Sequence, residues 1–182
     1  MRPDRALRVS VFAIAPIPLL IYLGSKLSDK KIVDLYQRHR SPDTWNWYEE
    51  PGECRFVTRV IPANGDKVAL MLNVSGANVV EDVTKTIGSA TVYELTLEGK
   101  SQAPSVLRTL ADLHRFSAEY GQVMARIRTT HPGLAKLHVF PAVPAPVAIA
   151  VGRERLQKVD ASLEVYDRDK RGGGFKYALS VD

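Results

Sequence analysis

A short polar segment near residue 40 combines guanidinium groups with aromatic rings. Arg38 and Arg40 follow Gln37 in the run QRHR, and Trp45 and Trp47 come shortly afterwards. An arginine fork can donate paired hydrogen bonds to phosphate, and indole rings stack on nucleobases. The carboxamide of Gln37 could read the edge of a base. These residue types indicate a ligand with phosphates and bases, although tryptophans also occur in hydrophobic cores and arginines in solvated loops.

A second Tyr-x-Arg step lies near the C-terminus. Tyr166 and Asp167 directly precede Arg168, and Lys176 follows the next turn. Tyr166 could wall off a base, and Lys176 could neutralise a phosphate. Asp167 would repel phosphate, so at a ligand we expect its carboxylate to meet a base amine or a ribose hydroxyl. The charged residues 168–171 are also typical of an exposed turn.

Two apolar runs each end in a Pro-x-Pro step. The first contains Pro16 and Pro18, and the second contains Pro144 and Pro146. Proline is tolerated in the first turn of a helix, where its missing N–H is not needed. The free N–H groups and the positive dipole end of a helix start attract anions. We therefore expect two helix starts to line a ligand pocket.

A third candidate is the turn Ser75-Gly76, against which a ligand backbone could pack. Other apparent motifs fail. The GKS run at 99–101 lacks the first glycine of a phosphate loop, because Glu94 stands at that position. The glycines at 172–174 do not form a dinucleotide fingerprint. The four histidines have no metal-ligand spacing. We therefore expect no catalytic residue, no metal and no cofactor.

An internal repeat supplies the elements that position these residues. Residues 9–24 read VSVFAIAPIPLLIYLG and residues 137–152 read LHVFPAVPAPVAIAVG, and the two align without a gap. Farther on, DLYQR at 34–38 corresponds to EVYDR at 164–168. The aromatic pairs that follow also correspond: Trp45 and Trp47 in the first copy, Phe175 and Tyr177 in the second. The opening stretch looks like an export signal, but a copy inside the chain cannot be one.

Each copy is predicted to be a β–α–β unit with parallel strands. VSVFAIA and LHVFPAV are rich in β-branched and aromatic residues, as expected of strands buried on both faces. The fold class is therefore α/β: two pseudo-symmetric Rossmann-like units fused in one chain, with a central, mostly parallel sheet flanked by helices. The other strands are predicted at 32–36, 55–61, 67–74, 91–97 and 163–166. Helices are predicted at 19–27, 79–87, about 103–129 and 147–156.

The composition is that of one folded domain. The chain has 182 residues, 45% of them hydrophobic, and no linker divides it. Its single cysteine, Cys54, can form neither an internal disulfide nor a multi-thiolate zinc site, so we expect a buried thiol. The net charge of +5 suits an anionic ligand without requiring one. We expect one cytoplasmic domain over 1–182, with halves of roughly 7–100 and 101–182 and no membrane span.

These residues resemble a known family. The run LHVFPAVPAPVAIAVGRERLQKVDASLEVYD, from Leu137 to Asp167, resembles the signature of SAVED domains, with its His-x-Phe-Pro-Ala-x-Pro start, Ala-rich helix and Tyr-Asp strand. VFAIAPIPLLIYLGSKLSDKKIVDLYQRHR followed by TWNW is similar to the family's other characteristic region. MLNVSG resembles its central strand and turn. The likeness covers essentially the whole chain, with Ala13 where the second copy has Pro141.

The resemblance implies both a fold and a function. SAVED domains resemble two fused CARF-like units and sense cyclic oligonucleotides in bacterial anti-phage systems of the CBASS and CRISPR-linked kinds. Ligand binding drives assembly of the sensors, and assembly activates an effector such as a nuclease, a protease or an NADase. The expected partners are thus a cyclic di-, tri- or tetranucleotide, other copies of the chain, and an effector domain or protein outside it.

Two other functions stay open from the sequence. A ring nuclease would use the same pocket to position a 2′-hydroxyl for in-line attack on the cyclic nucleotide, and it would release a linear product. A structural subunit would bind a partner protein through the long helix at 103–129, and it would bind no nucleotide.

Overall fold

The computed structural model describes residues 8–27, 31–169 and 172–182. These ranges contain ten strands and four helices. The strands are β1 (Arg8–Phe12), β2 (Ile32–Tyr36), β3 (His39–Arg40), β4 (Asp43–Thr44), β5 (Phe56–Ile61), β6 (Lys67–Asn73), β7 (Ala90–Leu97), β8 (Lys136–Ala142), β9 (Ser162–Arg168) and β10 (Phe175–Val181). The helices are α1 (Ile17–Lys26), α2 (Val80–Ile87), α3 (Leu110–Thr130) and α4 (Ala145–Arg153).

The central sheet has six strands in the order β10-β9-β8-β6-β7-β5. The pairs β9–β8, β8–β6 and β6–β7 are parallel, while the edge strands β10 and β5 are antiparallel to their neighbours. This confirms the predicted α/β class and the mostly parallel central sheet. The strand β1 pairs in parallel with β2 in a separate two-stranded sheet.

Helices cover both faces of the central sheet. On one face, Leu70 of β6 and Val139 of β8 belong to a core that includes Phe116 of α3 and Ile149 of α4. On the other face, α2 packs Val83 into a smaller cluster with side chains of β6, β8 and β9. No helix among the described residues is both long and apolar enough to cross a membrane.

The units β1–α1–β2 and β8–α4–β9 have the β–α–β order that the repeat predicted. Their strands also pair in the same register, with Arg8 opposite Ile32 in the first pair and Lys136 opposite Ser162 in the second. An equivalent ion pair crosses each pair of strands, Arg8–Asp34 in the first and Lys136–Glu164 in the second. Each unit also stacks a tyrosine of its second strand on a phenylalanine of its first. The ring centroids are 4.3 Å apart for Phe12 and Tyr36, and 4.6 Å apart for Phe140 and Tyr166.

The helices α1 and α4 pack tightly against each other at two glycines. A Cβ at Gly24 would lie 2.0 Å from the carbonyl oxygen of Ile149, and a Cβ at Gly152 would lie 1.8 Å from that of Ile21. The two contacts are reciprocal, since each helix presents its glycine to the isoleucine of the other. Only a residue without a side chain permits so close an approach of the two backbones.

Two predictions about local structure are wrong. The long helix begins at Leu110 rather than near Ala103, because Thr109 and Asp112 form a capping box that outweighs the apolar spacing upstream. The strand β1 is not buried on both faces: Phe12 is 54% exposed. Within the described residues β1 pairs only with β2, so its outer edge and one face lie open.

Candidate functional site

A cleft of about 750 Å³ opens at the carboxyl ends of β1, β6 and β8. It reaches the starts of α1 and α4, where Ala15 and Ile17 line one side and Pro144 and Ala145 the other. The remaining walls come from the loops after β2, β4 and β6 and from the segment that leads into α3. Ligands of α/β sheets bind at this edge, so the cleft lies where the sequence predicted a pocket.

The cleft is lined by three arginines and one aspartate: Arg38, Arg40, Arg108 and Asp43. Arg38 donates from Nε and Nη2 to the two carboxylate oxygens of Asp43, at 3.1 Å each. This hydrogen bonding, with the attraction between the charges, raises the pKa of Arg38 and lowers that of Asp43. Among the described residues, Arg40 is exposed and has no ion-pair partner. Arg108 pairs with Glu50, so the positive charge left over on this wall is that of Arg40, which suits an anionic ligand.

Tyr48 forms an aromatic platform between two other cleft residues. The His39 ring meets it at a steep angle, with centroids 4.6 Å apart, and the Arg108 guanidinium lies 4.5 Å from its ring centre. The Tyr48 hydroxyl donates to the carbonyl of Ser41 at 3.2 Å, which fixes the loop after β3. Burial, reinforced by the charge of Arg108, lowers the pKa of His39. The imidazole is therefore neutral at pH 7.

The helix starts provide fewer donors than the sequence suggested. In α1, Pro16 is the N-cap and Pro18 carries no N–H. The N–H of Leu19 donates to the carbonyl of Pro16 at 3.0 Å. Within the described chain, the Ile17 N–H is thus the first-turn donor of α1 left for a ligand. Pro144, the N-cap of α4, lines the cleft.

Buried asparagines hold the turn after β6 in place. Asn73 accepts from the N–H of Asn78 at 2.8 Å and donates to its carbonyl at 3.1 Å, so the intervening turn is closed by two hydrogen bonds. The N–H of Ser75 donates to the carbonyl of Ala142 at the end of β8. Ser75 lines the cleft as predicted, whereas its neighbour Gly76 does not.

Both tryptophans contact residues of the first β–α–β unit rather than the cleft. Trp47 donates from its indole nitrogen to the carbonyl of Leu35 at 2.9 Å and packs against the main core. Trp45 meets Phe12 edge to face, with centroids 5.5 Å apart. Neither ring lines the cleft.

Three predicted residues of the second copy, Tyr166, Asp167 and Lys176, also lie outside the cleft. Tyr166 is buried on the α2 face of the sheet, where it stacks on Phe140 and its hydroxyl is 3.0 Å from His138 Nδ1. Asp167 accepts from the N–H of Arg168, and Lys176 pairs with Asp169 at 2.7 Å. Pro18 and Pro146 are likewise buried in the first turns of α1 and α4. Residues 170 and 171 of the charged turn fall outside the described residues.

Of the predicted site residues, the structure brings Gln37, Arg38, Arg40, Ser75 and Pro144 together. Pro16, the exposed N-cap of α1, does not line the cleft, although its neighbours Ala15 and Ile17 do. The residues of the same cleft that the sequence-based reasoning missed include His39, Tyr48 and Arg108. His39 lies between Arg38 and Arg40, and the charge of the two arginines was the signal that predicted a phosphate site. Arg108 and Tyr48 meet because the backbone N–H of Tyr48 donates to the Arg108 carbonyl, a long-range contact without a sequence motif.

The predicted free cysteine is confirmed as a buried thiol. Cys54 is 2% exposed, and its Sγ donates to the carbonyl of Val106 at 3.4 Å. Burial raises the pKa of the Cys54 thiol to about 11. The protonated thiol is a poor nucleophile at pH 7.

The structure is that of an α/β protein with an arginine-lined cleft at the carboxyl edge of its strands. The sequence model of SAVED, described as the SMODS-associated and fused to various effectors sensor domain, matches residues 1–181. The chain belongs to this family of sensor domains, as the resemblance predicted.

Solved structures with a similar fold belong to the Cap4 SAVED/CARF-domain containing receptor of Acinetobacter baumannii. The receptor with the cyclic trinucleotide 2′3′3′-cAAA shares 16% identity with a TM-score of 0.68, covering 97% of this chain and 38% of that chain. The receptor with 3′3′3′-cAAA shares 16% identity with a TM-score of 0.67, covering 98% of this chain and 39% of that chain. A third structure of this receptor shares 13% identity with a TM-score of 0.60, covering 97% of this chain and 36% of that chain. This chain therefore spans less than two fifths of those chains, and no curated protein matches it.

Proposed function

We propose that this chain is a receptor module that binds a cyclic oligonucleotide in the cleft and passes the signal to an effector. The observation that carries the proposal is the convergence of Arg38, Arg40 and Arg108 with two helix starts around one cleft of about 750 Å³. The similar fold of receptors described with cyclic trinucleotides supports the choice of ligand class.

Charge and shape explain how the cleft would hold such a ligand. Arg38 pairs with Asp43 and Arg108 pairs with Glu50, so Arg40 carries the positive charge that is left to neutralise a phosphate, while the two paired guanidinium groups keep further N–H donors. The Ile17 N–H at the positive end of α1 adds a donor for a phosphate oxygen. Tyr48 contacts both His39 and Arg108 and thereby positions these two side chains in the cleft.

We further propose that the two β–α–β units are the halves of an internal duplication, each Rossmann-like and CARF-like. Equal strand registers, equivalent Arg8–Asp34 and Lys136–Glu164 ion pairs and the reciprocal glycine contacts of α1 and α4 support this. In this proposal the axis that relates the halves runs between α1 and α4, beside the cleft.

Effector activation and ligand-driven assembly belong to the same proposal. The family is described as fused to various effectors, and this chain spans less than two fifths of the receptors it resembles. We therefore place the effector in a different part of a longer protein or in a separate one, and we assign assembly to head-to-tail contacts between sensors. Sedimentation of the chain with and without ligand tests the assembly step.

The binding step is tested by titrating the chain calorimetrically with 3′3′3′-cAAA, 2′3′3′-cAAA and cyclic dinucleotides at fixed salt. We expect at least one ring to bind, and Arg40→Gln to weaken its binding by about tenfold to a hundredfold, as for loss of a charge-assisted hydrogen bond. Arg59→Gln removes an exposed arginine of β5 outside the cleft and is the matched control. Equal affinities for Arg40→Gln and wild type would place the ligand elsewhere. Chromatography of the recovered ligand would reveal linear product if the chain were a ring nuclease.

A further inference from the structure

Two polar atoms of the cleft are buried and have no hydrogen-bond partner among the described residues. They are Nε2 of His39 and Oε1 of Gln37. The His39 residue is only 7% exposed, so its ring is almost wholly withdrawn from solvent. Buried polar atoms in folded proteins nearly always have a partner, and a lone one calls for an explanation. Both atoms belong to residues that line the cleft, where a ligand would supply the partner.

The surroundings of these two residues fix their orientation. The Gln37 Nε2 group donates to the carbonyl of Arg38 at 3.0 Å, which leaves Oε1 as the free acceptor of the carboxamide. The His39 ring is held against Tyr48, with Arg108 on the same tyrosine. Gln37 and His39 are two residues apart in the chain, and both line the cleft. Because these contacts hold both side chains in place, their free polar atoms are suited to hydrogen bonding with a ligand.

We propose that Gln37 and His39 read one base of the bound ring, with Gln37 Oε1 accepting from an exocyclic amine and His39 Nε2–H donating to the adjacent ring nitrogen. This inference rests on the proposed function and specifies which groups of the cleft select the base. On the Watson–Crick edge, an amine beside an unprotonated ring nitrogen occurs in adenine and cytosine. Guanine and uracil present a carbonyl oxygen beside an N–H, so they would set acceptor against acceptor and donor against donor.

The charge state of the imidazole agrees with this role. A neutral ring carries one proton and can donate from Nε2 without adding a charge beside Arg108. Burial and the nearby Arg108 lower the pKa of His39 and keep the ring neutral at pH 7. The other charged groups of the cleft near this loop are Arg38, Arg40 and Asp43.

The test compares two probes and three variants by calorimetry. The probes are 3′3′3′-cAAA and the same ring with each adenine replaced by purine, which lacks the amine but keeps the ring nitrogen. We expect wild type to bind 3′3′3′-cAAA about tenfold more tightly than the purine ring. Gln37→Leu should lose that preference by weakening 3′3′3′-cAAA alone, while Gln122→Leu, an exposed position on α3, should retain it.

The histidine variants separate hydrogen bonding from packing. His39→Phe keeps a ring against Tyr48 but no donor, so it should weaken both probes by about tenfold. His39→Gln places an N–H donor near the former Nε2 position and should restore most of the affinity. Melting curves without ligand show whether each variant is folded, and if His39→Phe does not fold, the Gln37 comparison decides.

The outcomes distinguish this inference from the function on which it rests. If wild type binds no cyclic nucleotide, the proposed function fails and the inference fails with it. If wild type binds 3′3′3′-cAAA but folded Gln37→Leu and His39→Phe show wild-type affinity and preference, the receptor role stands and this base-reading pair is wrong. A wild-type preference for a guanine ring would also overturn the assignment.

Discussion

The contact between α1 and α4 should not tolerate even one added methyl group. A Cβ at Gly152 would lie 1.8 Å from the Ile21 carbonyl oxygen, and a Cβ at Gly24 would lie 2.0 Å from that of Ile149. Cβ atoms essentially never approach another heavy atom closer than 3.0 Å. Because both obstacles are backbone atoms, no side chain can rotate away. Gly24→Ala or Gly152→Ala must therefore separate the helices by about 1 Å.

The cost follows from what that separation loosens. Ile21 and Ile149 are 0% and 1% exposed, and a gap of about 1 Å forfeits up to about half of their dispersion attraction across the interface. Overpacking of this kind costs about 3 kcal/mol, and alanine regains about 1 kcal/mol over glycine inside a helix. The net loss of about 2 kcal/mol corresponds to a Tm lower by roughly 4–8 °C for a chain of this length.

Gly121→Ala provides the matched control for this prediction. Gly121 is exposed on α3, and a Cβ there would meet nothing within 4 Å. This variant should be stabilised by up to about 1 kcal/mol. Urea unfolding followed by circular dichroism measures all three free energies. If Gly24→Ala and Gly152→Ala were as stable as wild type, or gained stability as Gly121→Ala should, the close packing of α1 on α4 would be refuted.

Two further predictions concern buried titratable groups. Asp112→Ala should lower the free energy of unfolding at pH 7 by about 2–3 kcal/mol, because it removes the capping box with Thr109 and leaves the buried Cys54 N–H without an acceptor. Urea unfolding measures this change, and a loss below about 0.5 kcal/mol would contradict the prediction. Burial alone would raise the pKa of Asp112, but hydrogen bonds from Cys54 and Thr109 hold it below its usual value, so this stability should disappear as the pH falls below about 4. Burial and Arg108 lower the pKa of His39, so below about pH 6.5 the unfolded chain takes up a proton that the folded state resists. The free energy of unfolding should therefore decrease from pH 7 to pH 5.5, more steeply in wild type than in His39→Phe, and equal slopes would refute the assignment.

The elements that the sequence predicted best carry strong local signals. Pro16 and Pro144 are N-caps, and α3 ends at Thr130, directly before the His-Pro-Gly run. The alternation and apolar content of the strands placed most of them within a residue or two of their observed bounds. The start of α3 differs because its capping box lies several residues beyond the first apolar positions. Local chemistry decided that boundary against helical spacing.

The location of the aromatic residues required information from the whole fold. Tyr166 lies on the sheet face covered by α2, away from the cleft, although strand alternation alone permits either face. Trp47 donates to the carbonyl of Leu35 in β2, a contact within the first β–α–β unit that no spacing rule predicts. Tyr48, in contrast, reaches the cleft because the chain before α3 folds back beside it. The sequence identified the aromatic segment at 45–48 but not which of its side chains lines the cleft.

The repeat in the sequence does not extend to the charges of the cleft. Arg38 lines the cleft, whereas its counterpart Arg168 pairs with Asp82 of α2 at 3.2 Å and lies 5.2 Å from the Phe175 ring centre. A ring of repeated nucleotides would therefore meet guanidinium groups on one side and the apolar turn around Pro144 on the other. Each nucleotide would be held by different contacts, so a change in one linkage would disturb one set of contacts rather than all. Under the proposed function, this asymmetry gives the receptor a physical means of distinguishing rings that differ at a single linkage.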